Sequence, residues 1–443
     1  MTNTQLKPTL FGYGLTTKAI AKRLGGGCLF YDDKVKEPYT DEMGNKILPS
    51  SLFDPDKSEL EVTTPSLKPD HPLIQKAKHL LSEYDYILAS RHLELDSRHP
   101  ELAPKGISCG HSVSPSSEKH KPFTIWISGT NGKTTTTQML THLLEKRGAV
   151  SGGNIGTPLA ELPEDAPIWV LETSSFTLHH THIASPDIYL LLPITPDHLD
   201  WHGTPEAYEA DKLKPLLTMK EGELALVPKG LKLPKTEAYV VTYDSNKSLC
   251  DYFNLDASNL HYAGAFLQDA LLSLSVTRVL FDETDYTLIN QFKRDAHRQE
   301  EIYDSKGRLW INDSKATNLD ATIQAVKTYA GQRHLHLILG GEDKGVDLSP
   351  LFEILKPLSL TLYSIGANSE KIKILSRQYK IDLQESGTLQ NAIMDIDKVH
   401  TNKSIALLSP AAASFDQFQS YKERGDTFKK EILSTKKNNH LVP

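Results

Sequence analysis

Ile127-Ser128-Gly129-Thr130-Asn131-Gly132-Lys133-Thr134-Thr135 is the stretch that decides the fold. It follows an apolar run that reads as a buried strand, and it precedes residues 138–146, whose apolar spacing is helical. A glycine-rich loop between a strand and a helix binds phosphate, because its backbone N–H groups and the helix N-terminus face the anion. The full P-loop has a further glycine at the position of Ile127, so this is the shorter form, Gly-x-x-Gly-Lys-Thr.

The residue types in this loop indicate how it binds a nucleotide. Lys133 is placed to reach the β- and γ-phosphates, and the Thr134 hydroxyl can ligate Mg²⁺. A chance Gly-Lys-Thr in an ordinary loop is the alternative, and the strand before it and the helix after it argue against that reading. We therefore predict a phosphate-binding α/β domain around this loop.

Composition is typical of a cytoplasmic enzyme. The 443 residues suffice for roughly two to four domains, and a formal charge of −7 without a basic face argues against nucleic acid as a partner. Cys28, Cys109 and Cys250 lie far apart, as expected in a reducing compartment. Residues 1–8 lack the apolar core of a signal peptide, and the apolar window 188–194 is too short to cross a membrane. We expect a cytoplasmic protein with no membrane partner.

Strand and linker patterns divide the chain into three segments. Residues 8–17 read as a strand and a glycine turn, followed by a helix over 18–24 and a strand over 28–31, a Rossmann-like opening. Thr17 replaces the third glycine of the dinucleotide fingerprint, so a weak NAD site and a plain βαβ unit both stay open. The Ser-, His- and Pro-rich stretch 111–121 looks like a linker. We predict domains at 1–121, 122–297 and 298–443.

Strands and helices alternate through the second and third segments, which predicts doubly wound α/β sheets. In the second segment the predicted strands after the loop are 169–172 and 188–193, and the predicted helices are 205–217 and 265–280. In the third segment the predicted strands are 308–311, 334–339, 361–365 and 404–408, with a helix over 318–329. Thr317 or Asn318 suits the N-cap of that helix.

Several polar side chains follow strands of the second segment. Glu172 closes a strand and suits a Mg²⁺ ligand, or is a surface carboxylate. His198, in Asp197-His198-Leu199-Asp200-Trp201-His202, could ligate a second ion or contact a phosphate, and ordinary loop polarity explains it equally well. Lys212 reads, by itself, as part of a solvated helix face. Gly152-Gly153-Asn154-Ile155-Gly156 could approach a phosphate or a substrate carbonyl, or form a simple turn.

Residues suited to ligand contacts also follow two predicted strands of the third segment. Residues 310–318 run from a strand into a helix, and Asp313 and Lys315 there suit ribose and phosphate contacts. In residues 407–418 a turn of small residues follows a strand, and the backbone N–H groups of Ser414 and Phe415 could hold a carboxylate. Taken alone, this run is a tight turn.

Together and in this order, these segments resemble the Mur ligase family. The matching motifs are 129–134, 153–156, 171–175, 197–198 and 312–318. The run 408–418, continuing to Arg424-Gly425, is similar to the D-glutamate-adding members. The Asp-Asn-Pro-Arg signature of the diaminopimelate- or lysine-adding members is absent from the sequence, and folate polyglutamate ligases share the phosphate loop but not the C-terminal run.

The resemblance implies an ATP-dependent ligase of three domains in peptidoglycan precursor synthesis. The first domain would bind the UDP part of UDP-N-acetylmuramoyl-L-alanine, the second would be the ATPase, and the third, Rossmann-like, would receive D-glutamate. Attack of the L-alanine carboxylate on the γ-phosphate would give an acyl phosphate, which the D-glutamate amine then attacks. ATP and two Mg²⁺ ions are the implied cofactors, and we expect a monomer.

Matching motif positions carry the family's site residues onto this chain. The implied catalytic residues are Lys133, Glu172, His198, Lys212 and Lys315, and Lys212 matches the lysine that the family carbamylates. The implied ATP-binding residues are Gly129, Thr130, Asn131, Gly132, Lys133, Thr134, Thr135, Arg298, Asp313 and Lys315. The implied substrate-binding residues are Gly14, Leu15, Thr16, Asn154, His198, Thr317, Lys344, Ser414, Phe415 and Tyr421. The implied metal ligands are Thr134, Glu172, His198 and Lys212.

Some positions depart from the family pattern. Asp33-Lys34 stands where many relatives have Thr-Arg, and an acidic Asp33 would repel D-glutamate. Asp269 stands at an Asn that meets adenine in relatives, so adenine recognition must differ, and residues 88–122 match poorly. One competing hypothesis is a related ligase for another amino acid, and the C-terminal run argues against it. The other is a non-catalytic nucleotide-binding regulator. Against it stands the intact set of site residues: Lys133, Thr134, Glu172, His198 and Lys212.

Overall fold

The computed structural model describes residues 7–89, 121–331, 333–343 and 345–434. It contains three sheets of six strands, each flanked by helices, which confirms the predicted α/β fold. The described residues of 1–260 with 268–290 form one compact unit, and those of 261–267 with 291–443 form a second. The linker predicted at 111–121 lies almost wholly outside the described residues, and the domain boundaries at 121 and 297 stay predictions.

The first sheet opens the first compact unit. Its strands are β1 (Thr9–Phe11), β2 (Leu29–Asp32), β3 (Tyr39–Thr40), β4 (Lys46–Pro49), β5 (Glu61–Thr63) and β6 (Leu80–Leu81), with helices α1 (Leu15–Arg23) and α2 (Pro72–Lys76). The order is β3-β4-β2-β1-β5-β6; β1 pairs in parallel with β2 and β5, whereas β3 runs antiparallel to β4. The turn between β1 and α1 needs Gly12, which has φ +81° and where a Cβ would lie 2.7 Å from Thr64 Cγ2.

The second sheet completes the first unit and carries the phosphate loop. Its strands are β7 (Phe123–Ser128), β8 (Ala149–Gly153), β9 (Ile168–Glu172), β10 (Ile188–Leu191), β11 (Leu224–Pro228) and β12 (Tyr239–Tyr243). Its helices are α3 (Lys133–Leu144), α4 (Ser175–His180), α5 (Leu199–His202), α6 (Pro205–Leu213), α7 (Pro215–Thr218), α8 (Asn246–Phe253), α9 (Gly264–Phe281) and α10 (Tyr286–Asn290). All strands are parallel in the order β12-β11-β10-β7-β9-β8. The winding reverses beside β7, and open α/β sheets bind ligands at the carboxyl ends of the strands at such a point.

The third sheet forms the second unit. Its strands are β13 (Glu300–Tyr303), β14 (Leu309–Asn312), β15 (His334–Leu339), β16 (Leu360–Ile365), β17 (Asp382–Gly387) and β18 (Ser404–Leu408). Its helices are α11 (Leu319–Tyr329), α12 (Ser349–Leu355), α13 (Ser369–Tyr379), α14 (Leu389–Asp397) and α15 (Tyr421–Ser434). The order is β13-β14-β18-β15-β16-β17, in which β13 is antiparallel to β14 and the other pairs are parallel.

Apolar strand residues form the cores that hold these loops in place. Trp126 and Trp169, on adjacent strands of the second sheet, are fully buried, and their cluster extends to Phe30 of the first sheet. Tyr84 packs edge-to-face on Trp126 with ring centroids 4.8 Å apart, and its hydroxyl donates to the Glu172 carbonyl at 3.2 Å. The end of β9, where a candidate metal ligand stands, is therefore anchored to the core.

Helix α9 combines considerable length with an apolar composition. Among the described residues it is the one helix long and apolar enough to cross a membrane, with a mean hydropathy of 1.2. However, 56% of that window is buried within the protein, as in the core helix of a globular domain. It is weak evidence for a membrane segment.

Two local predictions need correction and one is confirmed. The helix predicted over 205–217 is two helices, because Pro215 has no N–H to donate and begins α7. Helix α1 begins at Leu15 rather than at residue 18. Gly152 and Gly153 end β8, and the turn that stayed open as an alternative falls at Asn154 and Ile155. Asn318 is the N-cap of α11, accepting from the Ala321 N–H at 2.9 Å, as predicted.

Candidate active site

The phosphate loop leaves β7 and enters α3 through two glycines that no other residue could replace easily. Gly132 caps α3 with φ +84°, and a Cβ there would lie 2.6 Å from Asp269 Oδ1. Gly129 has φ +137°, and a Cβ there would lie 2.4 Å from Leu192 Cβ. Thr134 and Thr135 follow in the first turn of α3, and Asn131 lies between the glycines. The loop therefore presents backbone N–H groups and a helix N-terminus, the arrangement that binds phosphate.

Two lysines share a carbonyl of this loop. Lys133 Nζ donates to the carbonyls of Gly129 and Thr130 at 2.9 and 2.8 Å. Lys212 Nζ donates to the same Gly129 carbonyl at 2.8 Å, and it lies 4.6 Å from the ring centre of Tyr208. The Tyr208 hydroxyl in turn lies 3.1 Å from Thr130 Oγ1. The structure thus brings together Lys133 and Lys212, which are far apart in the sequence.

Burial makes Lys212 chemically unusual. Its side chain is almost fully buried, with a relative exposure of 1%. Burial first, and then the neighbouring charge of Lys133, lower the pKa of Lys212 well below its usual range. An uncharged amine is a nucleophile and can react with carbon dioxide, whereas an ammonium cannot. The reading of Lys212 as part of a solvated helix face is wrong.

Glu172 has an unused oxygen beside the loop. It ends β9, is 3% exposed, and its Oε1 accepts from Asn154 Nδ2 at 2.9 Å. Its Oε2 is buried without a hydrogen-bond partner. A buried carboxylate oxygen with no partner is costly unless a ligand satisfies it. Asn154 also donates its backbone N–H to the Glu172 carbonyl at 2.8 Å, so this predicted substrate contact orients Glu172 here.

His198 stands in a strained backbone position after β10. It has φ +53°, a left-handed conformation that is uncommon outside glycine, and it caps α5. Its ring packs edge-on against Phe176 with centroids 4.8 Å apart. Although 48% of the His198 side chain is exposed, partial desolvation lowers its pKa despite the nearby Asp197, so the neutral imidazole is favoured. A neutral imidazole can ligate a metal ion.

The donor set fits a divalent cation. Among the residues that the structure describes, no three His, Cys, Asp or Glu side chains converge as a ready-made metal site. The predicted ligands are of another kind: the Thr134 hydroxyl, the unpaired Glu172 oxygen, the His198 imidazole and the buried amine of Lys212. Hard oxygen donors beside phosphate oxygens suit Mg²⁺, which keeps several of its other positions for water and substrate.

In the first sheet, the residues predicted to contact the nucleotide-linked substrate lie at the N-terminus of α1. Gly14 caps this helix and Leu15 is largely exposed. Thr17, at the third-glycine position, accepts from the Gly14 N–H at 3.3 Å and donates to the Gly12 carbonyl at 2.5 Å. The threonine therefore closes the turn with its own hydroxyl, while Gly14, Leu15 and Thr16 remain at the helix end.

Asp33, the acidic residue after β2 that departs from the family pattern, is hydrogen-bonded by two neighbouring side chains. Its two oxygens are hydrogen-bonded by the Ser50 hydroxyl and by His71 Nε2, the latter at 2.7 Å. The Ser50 bond first and then His71 outweigh its partial desolvation, and they lower the pKa of Asp33. The carboxylate stays charged but is engaged locally, which reduces the repulsion that the sequence suggested.

The nucleotide contacts predicted in the third sheet lie where β14 and β18 end. Asp313 Oδ2 accepts from Ser409 Oγ at 2.8 Å, and its Oδ1 accepts from the Gln299 N–H at 3.2 Å. Burial raises the pKa of Asp313 to about 7. Lys315 follows, with Nζ 5.6 Å from the ring centre of Tyr421, and Arg298 lies close enough for its charge to act on Asp313. These residues occupy the carboxyl-terminal edge, where such sheets bind ligands.

The predicted D-glutamate residues lie at the same edge of the third sheet. Ser414 is buried, and its carbonyl accepts from the N–H groups of Gln417 and Phe418. Phe415 is 67% exposed, so an apolar ring stands in solvent beside this turn. Thr317 precedes the α11 cap and Tyr421 begins α15. Lys344 lies outside the described residues.

Arg424 is a buried residue of this edge that the single motifs did not indicate. It is 1% exposed, and its guanidinium donates to Ser314 Oγ and to the carbonyls of Ser314, Ala412 and Ala413 at 2.8–3.3 Å. Because the Ala413 carbonyl faces Arg424, the Ser414 N–H of the same planar peptide faces away from it. The Arg424-Gly425 pair at the end of the C-terminal run was the available signal, but its burial is a tertiary effect.

The comparisons with known proteins agree with this geometry. Residues 127–266 match the family model of the Mur ligase middle domain. UDP-N-acetylmuramoylalanine--D-glutamate ligase of Campylobacter jejuni strain 81-176 is 44% identical over 427 residues, covering 96% of this chain and 98% of that protein. The chain belongs to the Mur ligase family. A second relative of this Mur ligase, the enzyme of the same name from Helicobacter pylori strain J99, is 43% identical over 446 residues, covering 97% of this chain and 100% of that protein.

Solved structures place this Mur ligase in the same fold. MurF ligase from Thermotoga maritima in complex with ADP aligns with a TM-score of 0.53 at 14% identity, covering 85% of this chain and 89% of that one. UDP-N-acetylmuramate-alanine ligase MurC from Thermotoga maritima aligns with a TM-score of 0.52 at 13% identity, covering 96% and 98%. At such identities the likeness speaks for the fold alone.

Proposed function

We propose that this chain catalyses the ATP-dependent addition of D-glutamate to UDP-N-acetylmuramoyl-L-alanine in peptidoglycan precursor synthesis, releasing ADP and phosphate. The observation that carries this proposal is the similarity, at 43–44% identity over nearly the full chain, to ligases named for that reaction. The phosphate loop and the buried Lys212 support it with a site built for phosphoryl chemistry.

The reaction has two steps for which positioning and charge are the main requirements. An oxygen of the L-alanine carboxylate attacks the γ-phosphorus, the bond to the bridging oxygen breaks, and ADP leaves. The D-glutamate amine then attacks the acyl carbon of the acyl phosphate, phosphate leaves, and the nitrogen loses its proton. Lys133 and the N–H groups between Gly129 and Thr135 hold the β- and γ-phosphates during the first step.

Thr134, Glu172, His198 and Lys212 would hold two Mg²⁺ ions, whose charge would neutralise that of the phosphates. The unpaired Glu172 oxygen and the neutral His198 favour this assignment. For Lys212 the uncharged amine favours carbamylation, which converts a buried base into an anionic oxygen ligand. Asn154, through its bond to Glu172, orients that carboxylate and contacts the acceptor substrate.

The remaining predicted residues divide by substrate. Those for the nucleotide-linked acceptor are Gly14, Leu15, Thr16, Asn154 and His198; those for ATP in the third sheet are Arg298, Asp313 and Lys315; those for D-glutamate are Thr317, Lys344, Ser414, Phe415 and Tyr421. The Ser414 N–H, turned away from Arg424, is a suitable donor for a carboxylate. We further propose that the enzyme works as a monomer in the cytoplasm, consistent with Cys28 and Cys250, which are free thiols.

Phosphate release from ATP tests the proposal. The enzyme is given UDP-N-acetylmuramoyl-L-alanine with D-glutamate, L-glutamate, L-lysine or diaminopimelate in turn, and the peptide product is identified by mass. We expect release that requires D-glutamate, with formation of the UDP-linked dipeptide. Release with another amino acid would refute the assigned specificity, and no release with any of them would refute the ligase function.

A further inference from the structure

A buried carboxylate next to Lys212 has no part in the proposed reaction. Asp211 lies on α6 with 8% of its surface exposed. Its Oδ2 accepts hydrogen bonds from two imidazoles, His179 Nδ1 and His202 Nδ1, each at 2.9 Å. The His202 Nε2 lies 3.0 Å from Ser175 Oγ. We call Ser175, His179, His202 and Asp211 the Asp211 network.

The hydrogen bonds of His202 indicate which of its ring nitrogens carries the proton. Because Asp211 only accepts, His202 Nδ1 carries a proton, and in the neutral imidazole Nε2 then accepts from the Ser175 hydroxyl. The His202 side chain is 0% exposed and Ser175 is 3% exposed, so no substrate reaches this serine, histidine and aspartate chain. Ser175, His202 and Asp211 are hydrogen-bonded in the same order as the nucleophile, base and orienting acid of a hydrolase. Because they are enclosed, they cannot act on a substrate in that way.

The network connects the two helices that carry His198 and Lys212. His202 ends α5, and its backbone N–H donates to the His198 carbonyl at 3.0 Å, which holds the left-handed His198 in place. Asp211 directly precedes Lys212, and successive helix residues point in different directions, so Asp211 anchors α6 while Lys212 faces the phosphate loop. One hydrogen bond, from His202 to Asp211, thus ties the two elements together.

An aromatic contact supports the same connection. The Phe176 ring stacks on His202 at 5.5 Å with an interplanar angle of 7° and meets the His198 ring edge-on at 4.8 Å. Moving His202 would therefore move both the backbone and the packing surface of His198. His179, the other donor to Asp211, lies on α4 and contacts His180 and Trp201 rather than His198.

We propose that Asp211 is a positioning residue that, through His202, holds His198 at the distance from Lys212 needed for both to serve the divalent-ion site. This inference rests on the metal site of the proposed function. It assigns to Asp211 and His202 an effect on ion affinity without contact with the ion, as hydrogen-bonding partners around metal ligands commonly have.

Three histidine variants test the link. In His202→Asn the side-chain amide can still donate from the δ position to Asp211. In His202→Gln the amide lies at the ε position near Ser175, so Asp211 loses this donor. His179→Gln removes the other donor to the same carboxylate and is the matched control. Mn²⁺ affinity is measured by electron paramagnetic resonance with a non-hydrolysable ATP analogue, so no turnover is needed. We expect roughly tenfold weaker Mn²⁺ binding in His202→Gln, and near wild-type binding in His202→Asn and His179→Gln.

Each result decides the role of the network. Equal Mn²⁺ affinity in His202→Gln and wild type would overturn the positioning role of Asp211. Equal losses of affinity in all three variants would also overturn it, because they would indicate a general loosening of the fold. A wild type that binds no Mn²⁺ beyond the ion held by the ATP analogue would also overturn it. Normal Mn²⁺ behaviour in an enzyme that does not use D-glutamate would instead refute the proposed function and leave the network intact.

Discussion

Lys212 and Arg424 are both buried basic side chains that donate to backbone carbonyls, yet their chemistry is opposite. Lys212 donates to the Gly129 carbonyl of the phosphate loop, and burial lowers its pKa far enough to favour the neutral amine. Arg424 donates to the carbonyls of Ser314, Ala412 and Ala413, and burial lowers its pKa to about 10, so it stays charged at neutral pH. Burial therefore turns a lysine into a reactive base but leaves an arginine as a permanent positive charge.

The difference matches what each region must do. In the proposed reaction the loop beside Lys212 would face phosphates that react, and a lysine that can be carbamylated there would add an anionic ligand. In the proposed reaction the turn beside Arg424 would bind a carboxylate that does not react, and a fixed charge with oriented peptide groups would serve that purpose. The predictions below follow from this contrast.

The largest expected effect is at Lys212. In Lys212→Met the amine is absent, and in Lys212→Arg the guanidinium stays protonated and cannot be carbamylated. We expect both variants to lose about 10²- to 10³-fold in kcat, measured as D-glutamate-dependent phosphate release. Lys229→Met, at an exposed lysine, is the control and should retain activity. An active Lys212→Arg would show that a positive charge at this position suffices and that no carbamate is needed.

Glu172→Gln should have the next largest effect. The glutamine oxygen can still accept from Asn154 Nδ2, so stability should change little, whereas the unpaired anionic oxygen is lost. We expect kcat to fall about 100-fold with weaker Mg²⁺ dependence. Asn154→Ala, which keeps the charge but frees the carboxylate, should have a smaller effect. Unchanged Mg²⁺ dependence in Glu172→Gln would exclude Glu172 as a ligand.

Arg424→Gln should affect one substrate more than the others. It removes the fixed charge and leaves several carbonyls short of donors, so we expect the KM for D-glutamate to rise about tenfold while the KM for ATP stays similar. Unfolding should become easier by roughly 3 kcal/mol, and Arg424→Lys should recover part of the D-glutamate binding. Equal rises in both KM values would indicate that Arg424 supports the fold alone.

The smallest effect is expected in the pH dependence of stability. The pKa of Asp313 is raised to about 7 by burial, so the unfolded state loses its proton at lower pH than the folded state does. Wild-type stability should therefore fall from this cause as pH rises from about 4 to about 7 and then level off. Asp313→Asn removes that slope. We expect its melting temperature, relative to wild type, to rise by a few degrees over this range; a constant difference would contradict the raised pKa.

The fold could be predicted well because its signals are local. The glycines at 129 and 132 and the apolar runs before them specify strand, loop and helix within a dozen residues, and strands such as β15 and β18 agree with the prediction residue for residue. The short edge strand β3 and the antiparallel β13 were not predicted, because a few residues at a sheet edge carry little periodicity. Pro215 was the available signal for the break between α6 and α7.

The site could be predicted only in part. Glu172 and His198 follow strands, and parallel strands end at one edge, so their neighbourhood is a consequence of topology. The burial of Lys212 and Arg424 is not visible in helical spacing, because the Gly129 carbonyl that meets Lys212 and the Ser314 carbonyl that meets Arg424 come from distant parts of the chain. The family resemblance identified Lys212 where its local pattern indicated a solvated residue.

The most direct test of this account is whether Lys212 carries a carbamate. The protein is equilibrated with ¹³C-labelled bicarbonate, and a carbamate carbon is sought by ¹³C NMR in the wild type, in Lys212→Met and in Lys229→Met. We predict a carbamate signal in the wild type and in Lys229→Met that is absent from Lys212→Met. A wild type without the signal, or a signal that persists in Lys212→Met, would contradict the role of Lys212 as a buried, uncharged and reactive amine.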